Sequence, residues 1–87
     1  MTVLATLKHG QRAVITHVES DDDPRMCARL AARGLVPGTP LGVLRGGDPL
    51  LVGIDSERWA INADEAARIH VDVLEAPRRF RFSLRRR

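Results

Sequence analysis

At 87 residues the chain has room for one compact core, because two cores would each remove too little apolar surface from water. Hydrophobic residues make up 44% of the sequence and run from residue 3 to residue 74, which excludes an intrinsically disordered chain. The formal net charge of +3 is a composite: removing the six arginines after Pro77 (Arg78, Arg79, Arg81, Arg85, Arg86 and Arg87) leaves −3 for residues 1 to 77. A mildly acidic body argues against a nucleic-acid footprint on the folded face.

The core is expected to be aliphatic, since Trp59, Phe80 and Phe82 are the aromatics. There is no apolar run of about 18 residues and no charged-then-apolar leader, so neither a membrane span nor a secretory signal is expected and the expected location is cytoplasmic. Cys27 is alone, which excludes an internal disulfide and any zinc site built on several thiolates. Its place in an apolar helical stretch makes it an expected core residue.

In chain order, Ala13 to Val18 reads as a strand, with β-branched Val14, Ile15 and Val18 following a turn at Gly10. In Ser20-Asp21-Asp22-Asp23-Pro24 an acid before a proline predicts an N-cap and a helix starting near Pro24, with the carboxylates at the positive end of the helix dipole. Met26, Cys27, Leu30 and Ala31 form one apolar stripe, and Arg25, Arg29 and Arg33 recur on the other side. Gly34 is placed to close the helix in the left-handed region, with Leu35 packing back on Leu30.

Val36-Pro37-Gly38-Thr39 then suits a type II turn, because Gly accepts the positive φ of its third position. A strand through Leu41 and Val43 follows, then a hairpin loop at Arg45 to Pro49. Leu50, Val52 and Ile54 alternate with Leu51, Gly53 and Asp55 in a second strand. A third strand covers Arg58 to Ile61. Asn62 with Glu65 is a capping box opening a short helical turn through Ala67, and Ile69 to Leu74 is the last strand, with Ile69, Val71 and Val73 facing one way. The fold class is therefore mainly β: a small partly open barrel of about five strands, with one short α-helix after the first strand and one helical turn before the last.

Leu7 and Gly10, Ala13 and Ile15, Arg29-Leu30 with Gly34-Leu35-Val36-Pro37-Gly38, Asp48-Pro49, Ala60-Ile61, Glu65-Ala66 and Ile69-Val71 follow one another as in the ferrous iron transport protein A (FeoA) family. The resemblance covers about residues 3 to 74 and is most specific from Arg29 to Gly38. It implies an SH3-like barrel over residues 1 to 76. It also implies a binding accessory of bacterial ferrous iron uptake, partnered with the cytoplasmic domains of the FeoB membrane permease, and not an enzyme. The same domain follows the DNA-reading part of iron- or manganese-dependent repressors, but no helix-turn-helix precedes it here, so nucleic acid is not an expected partner. Pro77 to Arg87 departs from the family pattern. Its alternating Phe80, Phe82 and Leu84 could add an edge strand to this barrel or to a second copy as a homodimer, and its arginines could meet a membrane surface.

Two candidate sites emerge. A partner-binding rim would use Arg25, Arg29, Arg33, Leu35, Val36 and Pro37, with Gly34, Pro37 and Gly38 fixing the turn. The barrel lacks the aromatic row with which SH3 domains grip Pro-rich peptides, so recognition would be aliphatic and charged, although an arginine row of this kind is usually just a solvated face. A divalent transition metal, iron or zinc, could sit at His70, Asp72 and His17, although no cofactor is required. His70 and Asp72 share a strand face, but the third ligand has no sequence spacing to recommend it. Asp21, Asp22 and Asp23 lack the alternating oxygens of a calcium loop. No nucleophile with a nearby base, phosphate loop or paired acids stands out, so catalysis is not expected.

Overall fold

The computed structural model describes residues 2–19 and 23–74. Its elements are β1 (Thr2–Val3), a 3-10 turn (Leu4–Thr6), β2 (Arg12–Val18), α1 (Pro24–Ala32), β3 (Pro40–Arg45), β4 (Leu50–Ile54), β5 (Glu57–Ile61), α2 (Ala63–Arg68) and β6 (Ile69–Val73). The strands form one antiparallel sheet in the order β1-β6-β2-β3-β4-β5. The expected mainly β, partly open barrel is observed with one more strand than expected: β1 is only two residues long, too short to leave a period-2 signal. No helix among the described residues is long and apolar enough to cross a membrane.

Local chemistry accounts for the ends of α1. The Asp23 carboxylate accepts the Met26 N–H at 3.0 Å, and Pro24 occupies the first turn, where its missing donor costs nothing. At the other end Leu35 N–H donates to the Leu30 carbonyl (2.8 Å) and Gly34 N–H to that of Ala31 (2.9 Å), with Gly34 at φ +86°. These two bonds satisfy carbonyls that the helix leaves open, and they fold Leu35 back so that it is buried with Leu30. The next turn is also as expected: Gly38 lies at φ +93° and Thr39 N–H donates to the Val36 carbonyl at 3.1 Å.

The aliphatic core includes Leu4, Ile15, Leu30, Leu35, Leu50, Val52, Ile61 and Ile69, with Trp59 and Val18 packed against its edge. Each such side chain contributes about 1.5–3 kcal/mol on burial. Three expectations about burial fail. Cys27 is exposed, because only Met26 and Leu30 of α1 reach the core. Ala31 is exposed for the same reason. Val73 faces the same way as Ile69 and Val71 but is 43% exposed, at the last position of β6. Asp21, Asp22 and the segment from Pro77 to Arg87, including its expected edge strand, lie outside the described residues.

Candidate docking surface

The rim around the end of α1 is held from two sides. Gly38 N–H donates to the Ile15 carbonyl at 2.7 Å and Ile15 N–H donates to that of Thr39 at 3.0 Å, so the Pro37-Gly38 bend is stitched to β2. The bend leaves Val36 38% exposed, with Pro37 also exposed beside it. A rigid apolar side chain at such a place can be covered by a partner with little further loss of chain entropy. Leu35 cannot contribute: it is 1% exposed and belongs to the core, because the helix cap turns it inward.

The three arginines divide into two groups. Arg33 Nη1 reaches Glu65 Oε1 at 3.4 Å and Arg29 Nη2 reaches Glu65 Oε2 at 3.7 Å, while Glu65 itself is 3% exposed. Glu65 also completes the capping box of α2: its N–H donates to Asn62 Oδ1 (2.8 Å) and its carboxylate accepts the Asn62 N–H (3.3 Å). Two guanidinium groups and a backbone donor thus surround a carboxylate that would otherwise be costly to bury. Arg29 and Arg33 lock α1 to α2, whereas Arg25 is exposed and makes no ion pair among the described residues. Sequence reasoning found Glu65 as a cap but not as the arginines' counter-ion, since the pairing spans more than thirty residues and leaves no local periodicity. The loop before β4 adds a second cap, with Asp48 Oδ1 accepting the Ala63 N–H at 3.0 Å.

The candidate metal residues are only partly brought together. His17 and His70 face each other across β2 and β6, with ring centroids 5.7 Å apart. Asp72 lies opposite Val14, farther along the same ladder. The carboxylate that does meet the pair is Glu19, whose Oε2 is 2.5 Å from His70 Nε2. That hydrogen bond holds the Glu19 carboxyl below its usual range, with smaller help from the charges of His70, His17 and Arg68 and opposition from desolvation. A bulge between Ile15 and His17 produces this meeting by shifting the register so that His17, not Thr16, opposes His70. A register shift of this kind has no sequence signature. Among the described residues no three His, Cys, Asp or Glu side chains converge as a metal site. His9 is exposed and apart from this pair.

Comparison with known proteins gives this geometry a family. A model of the FeoA domain matches residues 2–73. FeoA of Stenotrophomonas maltophilia, solved with zinc, is an SH3 domain protein put forward as a bacterial ferrous iron transport activating factor; it is 30% identical with a TM-score of 0.73, over 83% of this chain and 91% of that one. The FeoA protein of Chlorobium tepidum is 36% identical with a TM-score of 0.75, over 85% of this chain and 71% of that one. IdeR of T. acidophilum is 28% identical with a TM-score of 0.74, over 84% of this chain but 34% of that one. A comparison with curated proteins finds no match. The fold is SH3-like, and this chain belongs to the FeoA domain family.

Proposed function

We propose that this chain is a cytoplasmic accessory factor of ferrous iron uptake that docks on the cytoplasmic part of the FeoB permease and supports or regulates transport. Family membership and the likeness to a protein put forward as a ferrous iron transport activating factor support the pathway. The observation that carries a docking mechanism is the Val36-Pro37 rim, an exposed apolar edge on a turn pinned by backbone bonds to β2. Arg25, in the first turn of the helix that leads into this turn, has its charge uncommitted among the described residues and would speed association with an acidic partner surface. The residues act by shape and charge, with no bond made or broken.

Binding of the full chain to the isolated cytoplasmic domains of the permease tests this reading. Val36→Asp should weaken it by about tenfold or more, near 1.4 kcal/mol, and Arg25→Glu should chiefly slow association. Unchanged affinity and rates in both variants would remove the rim from the mechanism. Arg29→Glu is a poor probe, because it would set a second carboxylate against buried Glu65.

A second reading, uptake of iron or zinc at the facing imidazoles of His17 and His70 with further ligands supplied by a partner or by water, draws support from the paired rings and from the zinc in the Stenotrophomonas protein. Imidazole suits such ions. Calorimetric titration with zinc should then show a site that His70→Ala abolishes; heat unaltered by that substitution would dismiss it.

A further inference from the structure

The face of the sheet turned away from the core has an arrangement that the rim does not use. The register places Arg12 of β2 opposite Gly42 of β3, Gly42 opposite Gly53 of β4, and Gly53 opposite Arg58 of β5. A row of four strands thus reads Arg, Gly, Gly, Arg, with both arginines exposed. The next row is apolar. A bulge in β3 lets Leu44 and Arg45 share one opposing position against Leu51, and Leu51 in turn faces Ala60. Leu44, 40% exposed, lies over Gly53, its Cδ1 3.5 Å from where a Cβ on that glycine would be.

We infer that this outer face is a docking site for an acidic amphipathic helix of a protein partner. The dimensions fit. Three strand spacings of about 4.8 Å separate Arg12 from Arg58 by roughly 14 Å, enough to straddle a helix about 10–12 Å across. Neither glycine carries a side chain of its own, so Leu44 lies over Gly53 and the Arg12 stem over Gly42, and beside them is a hollow of about 210 Å³ bordered by Arg12, Pro40 and Asp55. Leu44, Leu51 and Ala60 supply the apolar strip for its buried stripe, while Arg12, Arg45 and Arg58 stand ready for carboxylates on its flanks. None of the three makes an ion pair among the described residues. Asp55 closes the hollow at one end, so the partner's end lying there carries a base or no charge. The face lies apart from the Val36 rim and does not depend on the function proposed for it.

The test is an amide NMR titration of the full chain with a synthetic helical peptide of about 16 residues, leucines on one face and glutamates on both flanks. Shifts should gather at Gly42, Leu44, Leu51, Gly53, Arg58 and Ala60. Affinity should fall about tenfold in Leu44→Asp and again in the Arg12→Glu, Arg58→Glu pair, and stay level in Arg25→Glu. Equal binding of a scrambled peptide of the same composition would overturn the proposal, as would shifts mapping to α1. So would tighter binding to vesicles of phosphatidylglycerol through the same residues, which would make the face a lipid contact.

Discussion

Glu65 offers the sharpest test of how α1 is held. Glu65→Ala removes the reciprocal half of the capping box, the bond its carboxylate accepts from the Asn62 N–H, worth about 1 kcal/mol. It also removes a charge-assisted bond to Arg33, and at 3.4 Å that bond belongs at the lower end of its class, about 1.5 kcal/mol. The Arg29 contact is 3.7 Å long with half of that side chain in water, which limits it to a few tenths, about 0.3 kcal/mol. The sum is about 3 kcal/mol, or roughly 12 to 24 °C in Tm for a domain of this size. Glu65→Gln keeps an oxygen for the Asn62 N–H and loses only the charge, so it should cost about half as much. Urea unfolding of these variants, closed into a double-mutant cycle with Arg33→Met, measures the ion pair apart from the cap. A coupling of about 1–2 kcal/mol is expected. A value near zero, within the roughly 0.3 kcal/mol by which independent sites depart from additivity, would show that Arg33 is merely a solvated neighbour.

Two further outcomes are expected. The Glu19 carboxyl is held below its usual range by the His70 bond, so its contribution to stability is present above the ordinary glutamate pKa and lost as pH falls through the lowered value. Acid titrations of stability for the native chain and Glu19→Gln should therefore diverge above the carboxylate range and merge beneath it; parallel curves would exclude the linkage. Cys27 is exposed, so one thiol should react with a colorimetric thiol reagent in the folded chain as completely as in denaturant. Protection until unfolding would return it to the core.

Local signals were legible wherever a single residue type solves a backbone problem. Asp23 before Pro24, Gly34 after Arg33, Gly38 in the turn, and Asn62 with Glu65 each satisfy donors or adopt angles that few other residues can, and all stand where spacing placed them. Burial on α1 was less legible. An apolar stripe gives a direction but not its width, and the core takes Met26 and Leu30 while leaving Cys27 and Ala31 outside. The site residues were hardest, because their partners are joined by tertiary pairing. Glu65 with Arg33, Glu19 with His70 and Arg12 with Gly42 lie far apart in sequence, and register shifts decide that His17 meets His70 and that Leu44 and Arg45 share a position against Leu51.

This division of partners changes what the charges can do. Arg29 and Arg33 are committed to buried Glu65, so reversing either perturbs folding before it perturbs recognition, whereas Arg68 and Asp64 form an exposed pair within α2 worth only about 0.3–0.5 kcal/mol. Arg12, Arg25, Arg45 and Arg58 make no such pairs among the described residues and are exposed, so reversing them should leave stability within about 0.5 kcal/mol. A charge-reversal scan read by binding alone would confuse the two groups. Read beside Tm, it separates them: a variant that weakens binding while Tm holds reports a contact with a partner. One that lowers both reports the lock between α1 and α2.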